Sequence, residues 1–209
     1  MKNSQEQLFR INGDVMSILK SGNDIGWQSI NSLTINRVVY LSGVLYSFKF
    51  PAIKNPFATD YSFEVNYKGP HDERIIDSLI FLDSREYIIR NDQGEYSINP
   101  ETELAEADSD EVKRAEWMKI IMYILVLHGF DKIYEFVIRD PEYQDSIEGQ
   151  RIKPLKLTKD NSTIEFLNRF KSDFERALDK ESSELSSQKY LELYFEYIFS
   201  RIAKGELDL

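Results

Sequence analysis

Hydrophobic residues recur every three or four positions in several long stretches of the chain, which is the spacing of helices that bury one side. The first stretch predicts a helix from about Gln5 to Lys20, with Ser21-Gly22 as its stop. Asn31 or Ser32 is placed to cap a second helix, which ends before Pro51. The N-terminal pattern therefore predicts a pair of helices.

The periodicity changes between residues 61 and 98. Aromatic and aliphatic residues alternate with polar ones from Tyr61 to Tyr67, which predicts a strand. Lys68-Gly69-Pro70 is a predicted turn, and Asp72 is placed to cap a helix that runs to Glu86. Two short β-type runs then flank a loop that ends in Gly94, which predicts a β-hairpin over 87–98. One strand pairing beside a hairpin, with helices on one face, is the plan of a winged-helix domain.

The remainder of the chain is predicted to be helical. Helices are expected over about 110–129, 131–139, 161–178 and 186–204, with a loop and one short strand over 142–159. We therefore predict an α+β fold that is predominantly helical. A winged-helix-like half with a small antiparallel sheet (1–100) packs on a helical half (101–209), either as two domains or as one continuous globule.

Composition excludes several classes of protein. The 209 residues contain no Cys and two His, which excludes a disulfide scaffold, a thiol nucleophile and any Cys-ligated metal. Aromatic residues make up 13% of the chain, too many for an intrinsically disordered protein. The N-terminus has no apolar core and the longest apolar run, Ile120–Leu127, is far too short to cross a bilayer. We expect a cytoplasmic protein with no membrane contact.

The sequence contains no pattern that predicts an active site, so we expect no enzyme, no catalytic residue, no metal site and no cofactor. Glycine-rich phosphate loops and a serine nucleophile elbow are missing. His71, at a helix start, is interpreted as a turn or cap residue, and His128, at a helix end, as a partner of the last carbonyls. The alternative is a metal-dependent nuclease centre. Its acids would be Asp140, Glu142, Asp145 and Glu148, followed by Arg151 and Lys153.

Charge argues against direct reading of DNA. The chain has a net charge of −10, and the predicted helix at 72–86 carries five acidic and two basic residues. Proteins bind DNA by neutralising phosphates with Lys and Arg, so an acidic helix in the groove is unfavourable. The predicted elements also place one helix between the strand and the hairpin, where helix-turn-helix readers have two. Both observations favour a protein-binding platform.

The last predicted helix is unusually rich in aromatic residues. Its apolar side chains cover more of the helix circumference than burial of one side requires. One interpretation is a central core helix, and the other is a docking face for a partner, because Tyr and Phe are enriched at interface centres. The predicted interface residues are Tyr190, Tyr194, Phe195, Tyr197 and Phe199. The acidic surface beside the hairpin is a second predicted contact.

Part of the chain resembles a winged-helix pattern of bacterial and archaeal families. The resemblance lies in the run Phe63–His71, in the apolar residues that follow it to Tyr87-Ile88, and in the preceding Ile35–Leu41. Among these families the chain most resembles the middle or accessory component of three-component ABC-ATPase systems, including Lamassu-type anti-phage defence. The resemblance implies a non-catalytic adaptor that bridges an SMC/Rad50-like ATPase and an effector, often a nuclease, and meets nucleic acid only through the complex. A winged-helix transcription regulator or antitoxin is the competing resemblance.

Overall fold

The computed structural model describes residues 2–66, 69–102, 109–138, 154–158, 161–178 and 184–204. Its helices are α1 (Lys2–Asp24), α2 (Ser32–Lys49), α3 (Glu73–Ser84), α4 (Ser109–His128), α5 (Phe130–Ile138), α6 (Ser162–Ala177) and α7 (Ser187–Ala203). Its strands are β1 (Phe63–Asn66), β2 (Gly69–His71), β3 (Ile88–Arg90), β4 (Tyr96–Ile98) and β5 (Pro154–Leu155). The predicted α+β class, predominantly helical with little antiparallel sheet, is confirmed.

Three helices begin at the polar residues that the sequence pointed to. Asn31 Oδ1 accepts a hydrogen bond from the backbone N–H of Thr34 at 2.8 Å, and Asn161 Oδ1 accepts one from Thr163 at 2.8 Å. Ser186 is the N-cap of α7. Each cap satisfies a backbone donor that the first turn of a helix leaves free, so the starts of these helices are set locally.

The predicted stop of α1 at Ser21-Gly22 is wrong, since the helix continues to Asp24. Ile30 packs over this turn so closely that a Cβ atom at Gly22 would lie 2.6 Å from Ile30 Cδ1. The absence of a side chain at Gly22 therefore allows Ile30 to pack closely against α1. The chain reverses later, at Gly26, whose φ of +89° lies in the region that favours glycine.

Strand pairing differs from the prediction in two ways. First, β1 pairs with β2 and β5 in a separate antiparallel sheet of order β2-β1-β5, and Gly69 and Pro70 lie in β2 rather than in a turn. Second, the residue beside the β3–β4 hairpin is Ile30, whose N–H and C=O bond to those of Tyr96 at 2.8 and 2.9 Å. Both α2 and α3 therefore lie between the pairing residue and the hairpin.

The core is centred on α2, most of whose residues are buried. This helix contacts α1, α3, α4, α6 and β2. The buried hydrophobic side chains form one cluster with members on both sides of residue 100, from Ile11 to Phe199. Among the described residues, no helix has the length and apolar character needed to cross a membrane.

A buried ionic network joins α1, α4 and the segment before β1. Arg114, 5% exposed, donates from Nε to Asp14 Oδ1 at 3.0 Å and from Nη1 to Asp60 Oδ2 at 2.8 Å. Arg10 donates to both oxygens of Asp60 at 2.8 and 3.0 Å, and Tyr61 Oη donates to Asp14 at 2.7 Å. Burial opposes the charge of Arg114, but hydrogen bonding to Asp14 raises its pKa above the usual value. Both buried carboxylates are therefore compensated by the same guanidinium.

We expect Arg114→Met to lower the free energy of unfolding by about 3–5 kcal/mol, because it leaves Asp14 buried without a counter-charge and Asp60 with Arg10 as its remaining cation. Urea denaturation measures the change. Lys113→Met is the matched control on the neighbouring residue, whose ion pair with Asp110 is 73% and 87% exposed. Lys113→Met should lower the free energy of unfolding by no more than about 1 kcal/mol. Equal losses in the two variants would contradict the structural role of the network.

Candidate protein-interaction surface

Helix α3 is held rigidly against the rest of the fold. Its buried stripe consists of Ile75, Leu79 and Leu82. Asp72 caps the helix by accepting the N–H of Arg74 at 3.0 Å, and its carboxylate also accepts the N–H of Ser62 at 2.6 Å. Ser78 Oγ donates to Asn12 Oδ1 of α1 at 2.7 Å. The predicted cap is confirmed, and these contacts decide which face of α3 points outward.

The outward face of α3 combines acidic and apolar side chains. Glu73 and Asp77 are exposed in its first half, one turn apart. Ile80, 61% exposed, and Phe81, 37% exposed, continue the face in the second half. Large hydrophobic side chains at this level of exposure, grouped on one element, are typical of contact surfaces.

The end of α3 brings the next exposed aromatic residue back onto the helix. The N–H of Tyr87 bonds to the carbonyl of Leu82 at 3.0 Å, and the N–H of Glu86 bonds to that of Asp83 at 3.0 Å. This pair of bonds is the Schellman motif, in which the residue at the position of Tyr87 lies beside the last turn of the helix. Tyr87, 43% exposed, is therefore held at the end of α3.

The hairpin adds a second apolar residue on the same side as Tyr87. Along β3, Ile88 is 2% exposed, whereas Tyr87 and Ile89 are 43% and 47% exposed. Residues two apart on a strand share a face, so Tyr87 and Ile89 point outward together. We call the set Ile80, Phe81, Tyr87 and Ile89, with the acids Glu73, Asp77, Asp83 and Glu86, the α3–β3 surface.

The three arginines of this region, Arg74, Arg85 and Arg90, make contacts within the chain, and Arg85 and Arg90 are also exposed to solvent. Arg74 donates to the carboxylate of Asp72 from Nε at 2.8 Å and from Nη2 at 2.5 Å, and this hydrogen bonding raises its pKa. The guanidinium of Arg85 lies 5.7 Å from the centre of the Phe81 ring. The four acids of the surface are all exposed. The surface therefore presents apolar groups with an acidic border.

The aromatic residues predicted as an interface are mostly core residues. Tyr190, Tyr194, Phe195 and Phe199 are 1%, 0%, 0% and 8% exposed. The hydroxyl groups of the two tyrosines are also used internally, Tyr190 donating to Glu175 at 3.0 Å and Tyr194 to the carbonyl of Leu167 at 2.7 Å. Burial raises the pKa of both tyrosines. Because α7 packs against α4 and α6, these four aromatic side chains lie in the core. The prediction that they form a docking face is therefore wrong.

Tyr197 is the member of that set that is partly exposed. It lines a shallow groove of about 310 Å³ between α6 and α7, together with Phe174, Leu178 and Leu193.

Neither histidine belongs to the α3–β3 surface. His71 is in β2, opposite Glu64. His128 is the last residue of α4, and its ring lies 6.1 and 5.8 Å from those of Phe195 and Phe199 in α7. The acids and bases proposed for a nuclease centre, Asp140 to Lys153, lie outside the described residues. Among the residues that are described, no group of three or more His, Asp or Glu is placed to hold a metal ion.

Sequence reasoning identified the acidic character of α3 but missed the apolar half of its outward face. The available signal was the set Glu73, Asp77 and Ile80, which follows helical spacing opposite the buried stripe of Ile75 and Leu79. The ionic network around Arg114 was also missed, because its members are up to 100 residues apart.

Comparison with known proteins finds no family model, no curated protein and no solved structure that matches this chain.

Glu86 occupies the left-handed position of the Schellman motif, with φ of +60°. Glycine is the usual residue there, and a side chain costs about 1–2 kcal/mol. We expect Glu86→Gly to raise the free energy of unfolding by about 0.5–1 kcal/mol, after allowance for the greater freedom of glycine in the unfolded chain. Glu86→Ala is the control, because it removes the carboxylate and keeps the Cβ atom. An equal gain in both variants, measured by urea denaturation, would show that backbone strain is not the cause.

Burial lowers the pKa of His128, and Lys132 adds to this effect, while the backbone of Glu192 and the carboxylates of Glu192 and Glu196 oppose it. The folded state therefore favours the neutral ring. Its contribution to stability is present above the usual pKa of 6.5 and is lost as the pH falls through the lowered value. We expect the stability difference between the wild type and His128→Gln to shrink between about pH 7.5 and about pH 5. A constant or growing difference in denaturation experiments would contradict this sign.

Proposed function

We propose that the chain is a non-catalytic accessory subunit of a bacterial defence complex, in which it binds an SMC/Rad50-like ATPase and an effector in the cytoplasm. The observation that carries the proposal is the outward face of α3, where exposed acids and large apolar side chains stand together. Such a face is suited to contact with protein.

The order of elements supports a winged-helix scaffold as the basis of this function. The chain runs through α1, the pairing residue Ile30, α2, α3 and the β3–β4 hairpin, with β1 and β2 inserted between α2 and α3. In DNA readers with a helix-turn-helix, the second helix of the pair enters the major groove. Here α3 holds that position, and its exposed acids would meet phosphates of the same charge.

The net charge of −10 supports a role in which nucleic acid is reached through other subunits. An acidic protein is repelled by the phosphate backbone and attracted by basic protein surfaces. The resemblance described above to accessory components of three-component ABC-ATPase systems supplies the proposed partners, an SMC/Rad50-like ATPase and an effector.

A winged-helix regulator or antitoxin is the second candidate. It is favoured by the pairing of Ile30 with Tyr96, because two helices, α2 and α3, then precede the hairpin as they do in DNA readers. This pairing removes one of the two sequence arguments against base readout and leaves the argument from charge.

We expect the purified chain to form a stable complex with an SMC/Rad50-like ATPase from the same organism, seen as co-elution in size-exclusion chromatography at about 0.15 M salt. In fluorescence anisotropy, a duplex carrying its own promoter should bind no more tightly than an unrelated duplex, because the acidic α3 face repels phosphates. Failure to co-elute would overturn the proposal. Promoter binding in the range of about 10⁻⁸ M or tighter, weakening as salt rises, would establish the second candidate in its place.

A further inference from the structure

The α3–β3 surface is formed by exposed residues of two elements that contact each other, α3 and the start of the hairpin. Ile80 and Phe81 lie on the exposed side of a helix whose other side is buried against the core. Tyr87 and Ile89 lie on the outer face of the hairpin that follows it directly. The hairpin is fixed at its far strand by the two hydrogen bonds between Ile30 and Tyr96. The four apolar side chains are therefore positioned before any partner arrives, which reduces the entropy lost on binding.

We propose that the α3–β3 surface binds a segment of a partner protein that carries apolar side chains bordered by lysine or arginine. This inference rests on the protein-binding function proposed above and adds the place and the chemistry of the contact.

The apolar part of the proposal follows from exposure. Ile80, Phe81, Tyr87 and Ile89 are 61%, 37%, 43% and 47% exposed, all within ten residues of sequence. Interfaces gain most of their binding energy from a few large side chains at the centre, which are surrounded by polar groups that exclude water. A phenylalanine and a tyrosine between two isoleucines supply such a centre.

The charge of the partner follows from the border of the surface. Glu73 and Asp77 precede the apolar residues along α3, and Asp83 and Glu86 flank them at its end. The neighbouring arginines offset these acids in part, since Arg74 is paired with Asp72 but Arg85 and Arg90 are exposed, which leaves two cations against four acids. Opposite charges at the rim of an interface steer association and select partners, so a basic border on the partner is favoured and an acidic one is repelled.

Glu86 gives an independent reason to connect this acidic border with binding. It holds a left-handed backbone conformation, φ +60°, that glycine would adopt at lower cost. Strained residues that persist on a surface are concentrated at binding and switch sites. A carboxylate at this position places a negative charge where α3 meets the hairpin.

Site-specific photo-crosslinking in cells tests the proposal and captures the partner whatever its identity. Ile80 is replaced by p-benzoylphenylalanine, and Ile53, 56% exposed in the segment after α2, is replaced in the same way as the control. We expect Ile80 to crosslink one other polypeptide at least tenfold more than Ile53 does. Mass spectrometry should place the crosslink in a peptide that contains apolar residues flanked by Lys or Arg. Crosslinks to this chain itself, to an acidic peptide or to DNA would overturn the proposal.

Charge reversal gives the second arm. Asp77→Lys should reduce the Ile80 crosslink at least tenfold, whereas Glu165→Lys, which reverses an exposed acid on α6, should leave it unchanged. Thermal unfolding of each variant is measured to check that the fold is retained. If the chain co-elutes with the ATPase and neither Asp77→Lys nor Ile80→Asp weakens that complex, the proposed function stands and the assignment of the contact to this surface fails. If the wild-type chain forms no complex with the ATPase, the proposed function itself is contradicted.

Discussion

The ionic network around Arg114 is the constraint on which the rest of the structure depends. A guanidinium from α4 neutralises two carboxylates, Asp14 of α1 and Asp60 from the segment before β1, all of them nearly inaccessible to water. Removing ions from water costs several kcal/mol per group, so the three charges are tolerated together and not separately. The network therefore ties α1 and the segment before β1 to α4, across the two halves of the chain.

The same arrangement determines what the protein offers to others. With its position fixed by α4, α1 bonds through Asn12 to Ser78 and sets the rotation of α3 about its own axis. That rotation buries Ile75, Leu79 and Leu82 and turns Glu73, Asp77 and Ile80 toward solvent. Helix α3 thus displays an acidic and apolar face to solvent.

Aromatic content alone is a poor guide to an interface in this chain. The helix richest in aromatic residues, α7, packs Tyr190 and Tyr194 against Phe48 and Phe174, with ring centres within 6.5 Å of each other. A helix with a broad apolar face is buried when neighbours exist on several sides, and here α4 and α6 provide them. Exposed large apolar side chains lie instead on other elements, among them Phe9 of α1, Val126 and Leu127 of α4, and Ile80 and Phe81 of α3.

The sequence by itself determined the elements whose signals are local. Contacts between residues a few positions apart fix the helices and the hairpin. These signals are the caps at Asn31, Asp72 and Asn161, the helical spacing of apolar residues, and the loop that ends in Gly94. Tertiary structure decided the pairing of Ile30 with Tyr96, the continuation of α1 past Gly22, the burial of the α7 aromatics and the network of Arg114. Each of these depends on residues brought together over 8 to 146 positions of chain, and such contacts leave no periodic trace in the sequence.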